Sequence, residues 1–137
     1  MRTAAIPVVA LACALLAGCV QSVAVETKRG VPEGRESAVD LLDPTPFATW
    51  LDDRDRFAVV TFGSSSCAPV PTSVLATDAA TIAVTFVQAS AQVCSADLAA
   101  TTHVFTTPGE IDSQRPVTVD VLLDYSTDYE FSVPVLD

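Results

Sequence analysis

The chain has 137 residues, with 7 Lys and Arg against 17 Asp and Glu, a formal net charge of −10. An acidic surface of this kind repels phosphate backbones and anionic head groups, which excludes nucleic acid as a natural partner. Half of the residues are hydrophobic, and the length suits one domain with one core.

Met1, Arg2 and Thr3 precede an apolar run over residues 4–17, interrupted only by Pro7, which ends at Leu16-Ala17-Gly18-Cys19. A basic residue, a short apolar core and small residues, in that order, form an export signal. The run is shorter than the roughly 20 residues a membrane-crossing helix needs. Residues 16–19 resemble the lipobox of bacterial lipoproteins in all four positions. The resemblance implies that the Cys19 thiol receives diacylglycerol and that residues 1–18 are then cut away. Small side chains at Ala17 and Gly18 let a peptidase reach the backbone, and Cys19 supplies the only thiol at the cut. Acyl chains such as palmitate anchor firmly when two or three act together, since each buried methylene contributes about 0.8 kcal/mol. The mature chain is then expected on the extracytoplasmic face of the cell membrane. Arg2 leaves with the signal, so six Lys and Arg oppose seventeen Asp and Glu, a formal charge of −11.

Residues 19–37, which continue as QSVAVETKRGVPEGRES, hold two glycines, a proline and mixed charges without periodicity. This composition reads as a lipidated N-terminus and flexible tether, leaving residues 38–137 as the domain. Pro44 and Pro46 forbid a regular helix at the start of that domain. Residues 47–51 and 56–62 are expected to form a hairpin across Asp52-Asp53-Arg54-Asp55, although Phe47, Trp50 and Leu51 also fit a short helical face. Residues 72–76 and 81–87 make a second hairpin, in which Val74 and Ala76 face Ile82, Val84 and Phe86 on one buried side.

Three further strands are expected at residues 102–106, 116–124 and 130–135. In the second of these Val117, Val119, Val121 and Leu123 share a face, and Pro134 in the third suits a sheet edge. Seven short strands within about ninety residues predict an all-β, antiparallel two-sheet sandwich, immunoglobulin-like in size and layering.

The stretch FAVVTFGSSSCAPVPTSV, residues 57–74, interrupts this pattern with a glycine, three serines and a cysteine. GSSSC superficially matches a nucleophile elbow, with Ser65 as the serine and His103, the only histidine, as its base. Asp97 and Asp120 are the candidate orienters of that histidine. An elbow needs a helix directly after its serine, however, and Pro69 and Pro71 forbid one. The plainer reading of His103 is a strand residue at the surface. A structural turn accounts for the stretch better: Gly63 supplies backbone freedom, the serines hydrogen-bond their own turn, and the prolines stiffen the exit.

With Cys13 removed and Cys19 acylated, Cys67 and Cys94 are the two cysteines left, and in an oxidising compartment they are expected to pair. Two cysteines and one histidine are too few for a closed zinc site. Asp124, Asp128 and Glu130 offer oxygen ligands for calcium but lack the spacing and glycine of an EF-hand loop, so a solvated turn is the expectation there. No metal or other cofactor is expected.

The block AVVTFGSSSCAPVPTSV, followed by a hairpin and then VCSADLAATTHVF, resembles a family of small actinobacterial secreted lipoproteins in which a GSSSC turn precedes prolines and a second cysteine follows. The likeness spans roughly residues 50–135, and many members have Pro where Ala68 stands. It implies a domain type and a cysteine pair but no catalytic residue, since the family carries no established activity. The leading expectation is a non-enzymatic, membrane-anchored module that binds an envelope protein or ligand. A serine hydrolase using Ser65 and His103 is the alternative.

Overall fold

Phe57, Ala58, Val59 and Val60 are fully buried, so a strand that reads as an unbroken apolar run is covered on both faces. They belong to β3 (Arg56–Gly63), the centre of one half of a sheet. The other strands are β1 (Glu26–Arg29), β2 (Phe47–Leu51), β4 (Val70–Asp78), β5 (Thr81–Val87), β6 (Ala99–Thr106), β7 (Thr118–Asp124) and β8 (Tyr129–Leu136). This computed structural model describes residues 21–89, 93–125 and 128–137. The export signal and the acylated Cys19 lie outside the described residues.

The eight strands form one mixed sheet in the order β1-β6-β3-β2-β8-β7-β5-β4, curled into a half-barrel. The expected seven-stranded antiparallel sandwich is therefore corrected in three respects. First, β8 joins the halves that a sandwich would keep apart, pairing antiparallel with β7 and parallel with β2 through Val135 and Leu136. Second, β5 and β7 pair in parallel, from Thr81 opposite Thr118 to Val87 opposite Asp124. Third, there is an eighth strand, β1, which pairs with β6 from Glu26 opposite Val104 to Arg29 opposite Thr101.

β1 lies within the stretch expected to be a flexible tether, and that expectation is corrected too. Its four residues are all exposed, so backbone hydrogen bonds to β6 and not side-chain burial hold it. The chain then crosses the outer face of the sheet over residues 30–46. Val31, Val39 and Pro44 line one groove there with Phe62 and Ala100, and Pro32 lines another with Thr102 and Val104. The Thr102 hydroxyl donates to the Gly30 carbonyl at 2.7 Å. Ala58, Val60 and Val104, on the outward side of β3 and β6, are buried on this same face.

Inside the curl, Trp50 and Phe57 meet edge to face at 6.4 Å, and Phe57 stacks on Phe105 at 5.2 Å. Ile82, Val84 and Phe86 from β5 and Val119 and Val121 from β7 complete the core. Both expected hairpins form, with Phe47 opposite Val60 and Val74 opposite Val84, and residues 47–51 are strand, not helix. Pro134 is not on a sheet edge. Because Val135 donates its amide to Val117 at 2.9 Å, alternation turns the Pro134 nitrogen toward β2, one residue before the β2 ladder begins.

Candidate functional site

β3 ends at Gly63, opposite Ala99 of β6, and the three serines follow in a turn closed by the Cys67 amide on the Ser64 carbonyl at 3.2 Å. Gly63 is not needed for an unusual backbone conformation, contrary to expectation. It ends a regular strand, its φ lies outside the left-handed range, and a Cβ there would meet only Pro69 Cδ at 3.9 Å. No helix follows the turn; Pro69 and Pro71 are buried, and β4 begins between them at Val70.

Cys67 and Cys94 are bonded, with their Cα atoms 5.5 Å apart. Cys67 is buried and Cys94 exposed, so the bridge ties the strand end to an outer loop. That tie brings the residues beside each cysteine together. The Ser95 hydroxyl lies 2.8 Å from that of Ser64, 3.3 Å from that of Ser65 and 3.1 Å from that of Ser66. The Ser95 amide donates to the Ser66 hydroxyl at 2.8 Å. Asp97 closes the cluster, accepting from the Ser65 amide at 3.0 Å and the Ser95 hydroxyl at 2.5 Å. Hydrogen bonds from Ser65 and then Ser95 hold the Asp97 carboxyl down at about 2.

His103 is elsewhere. It pairs with Val59 on β3, four residues before Gly63, which is about 13 Å along a strand. The ring is fully buried, against the expectation of a surface residue. Its Nε2 lies 3.1 Å from the Thr61 hydroxyl, its ring and that of Phe86 meet in a T-shaped pair at 5.0 Å, and Nδ1 has no hydrogen-bond partner among the described residues. Burial pushes its pKa down to about 4, so the ring is neutral. The period of two shows the cause: His103 shares parity with Phe105 and therefore its inward face.

The cluster thus brings Ser65 to Asp97 but not to His103, and the other expected orienter, Asp120, accepts from Ser132 at 2.6 Å. A carboxylate with a pKa of about 2 is a poor base for a serine hydroxyl near neutral pH. What the arrangement does well is order a loop, because five polar side chains satisfy one another around a covalent tie. Ser95, the centre of the cluster, was not singled out from the sequence; its place beside Cys94 was the signal that would have found it. Asp124, Asp128 and Glu130 line a surface groove with Tyr129 and Thr85. Among the described residues, no three His, Cys, Asp or Glu side chains gather as a metal site.

Comparison of the chain with protein-family models, with curated proteins and with solved structures finds no match.

Proposed function

We propose that this chain is a lipoprotein anchored through Cys19 to the extracytoplasmic face of the cell membrane, and that its β domain is a non-catalytic module for an envelope protein or ligand. The observation that carries the proposal is the Leu16-Ala17-Gly18-Cys19 box at the end of a short apolar run behind Arg2. The Cys67–Cys94 bond supports it, since such bonds persist in oxidising compartments outside the cytoplasm. So does the likeness of the GSSSC block to small actinobacterial secreted lipoproteins. The three serines are engaged in holding a loop, and Ser65 has no imidazole beside it, which favours the binding reading over the hydrolase.

Two experiments test this. In cells making Cys19→Ala, the precursor should stay uncut and keep its signal; normal processing of that variant would contradict the anchor. A fluorophosphonate probe should leave the mature protein unlabelled, and labelling that disappears in Ser65→Ala would establish the hydrolase instead.

A further inference from the structure

The lead-in to β1 fixes how far the domain stands from its anchor. The Val23 amide donates to the Pro71 carbonyl at 3.0 Å, and the Val25 amide donates to the Val104 carbonyl at 2.8 Å. Ala24, between them, packs against the core. The folded domain therefore begins at Val23, not after a tether that ends near residue 37. From Cys19 to Val23 the chain advances four residues, which span about 14 Å at full stretch.

We propose that the domain rests directly against the lipid surface, held on this four-residue leash with the seam between the β1 lead-in and the start of β4 turned toward the head groups. The inference rests on acylation of Cys19. Val23 and Val25 fit that contact: they are 39% and 59% exposed, the first beside Pro71 and the second beside Val104. Anionic head groups repel the acidic domain, so the acyl anchor and the short leash, and not charge, are what hold it at the surface. A domain of this size has a radius of gyration of about 13 Å, so its binding surface also stays close to the bilayer. The partner it can meet is accordingly one at the membrane surface, such as the outer part of a membrane protein, and not a polymer far from it.

The test uses the lipoprotein purified from membranes and reconstituted in phosphatidylcholine vesicles that carry a dansyl head-group label. Trp50 is the only tryptophan, so energy transfer to the label reports one position in the fold. A second protein carries about twenty Gly and Ser residues inserted between Val20 and Gln21, which adds a root-mean-square reach of about 25 Å. Transfer should be strong in the natural protein and at least about twofold weaker with the insertion. Weak transfer in both would overturn the proposal. Strong transfer in both would also overturn it, because the domain would then adhere by its own surface without help from the leash. The mass of the N-terminal peptide separates the two readings: a Cys19 without diacylglycerol would overturn the anchor and the leash together, whereas a normal anchor with either of those transfer results would overturn the leash alone.

Discussion

His103 shows how one side chain couples this fold to pH. Its ring is buried among Thr61, Phe86 and the aliphatic core, and it is held neutral with a pKa of about 4 against about 6.5 in the unfolded chain. A depressed value means that the unfolded state binds the proton first. The stabilisation is complete above about pH 6.5 and is lost as pH falls from there toward 4. Between pH 7 and pH 5 the loss should amount to about 2 kcal/mol, before most carboxylates titrate. Denaturant midpoints measured across that range should fall in the natural protein and stay nearly level in His103→Phe, whatever that variant's absolute stability. Equal slopes in the two proteins would contradict a buried neutral ring. Thr61→Val removes the hydroxyl that partners Nε2 among the described residues and should cost about 1–3 kcal/mol, read from the same midpoints at pH 7.

At the scale of elements, two connections carry most of the risk. The β2–β3 turn places Asp52, Asp53 and Arg54 at φ of 41°, 52° and 71°, three successive residues in the left-handed region. Arg54 is held there by the Ser113 carbonyl at 2.6 Å, by Asp137 and by the Trp50 ring. Thr107 adds its amide to the Asp55 carbonyl and its hydroxyl to the Arg54 carbonyl. Asp tolerates this backbone better than most residues, so Asp53→Asn should be neutral within a few tenths of a kcal/mol, whereas Asp53→Val should cost about 1–2 kcal/mol in thermal or chemical unfolding. The second connection is the disulfide. Closing a loop of 28 residues contributes about 3.5 kcal/mol through the unfolded chain, so Cys67→Ser with Cys94→Ser should lower the melting temperature by roughly 10–15 °C. A melting temperature within a few degrees of the natural protein's would place the stabilisation in the serine cluster instead.

The element scale is also where the sequence was most and least legible. Period-two alternation marked β5 at its observed limits and placed Ile82, Val84 and Phe86 inward, because one face of that strand is buried and the other is not. β1 was illegible: Glu-Thr-Lys-Arg has no apolar side to reveal a strand, and its backbone pairing leaves no trace in composition. The parallel pairings of β5 with β7 and of β2 with β8 were hidden for a related reason, since alternation fixes which face is buried but not which neighbour lies alongside. At the site, the cysteine pair followed from counting thiols, while the burial of His103 needed the fold to show what lay on the inward face of β6.

At the scale of the whole molecule, a half-barrel sheet is covered on part of its outer face by residues 30–46, tied across one end by a disulfide, and joined at its N-terminus to a short stretch behind Cys19. The described residues contain no helix long and apolar enough to cross a membrane, and the attachment proposed above is the acyl chains on Cys19. Attachment and crosslink together make the central claim, and intact mass spectrometry of the protein from the membrane fraction, taken without reduction, tests both at once. The account predicts a chain that begins at Cys19, carries a diacylglyceryl group or that group with a further acyl chain, and is two hydrogens lighter than its free-thiol form. An unmodified N-terminus at another residue, or a mass that retains both thiol hydrogens, would contradict it.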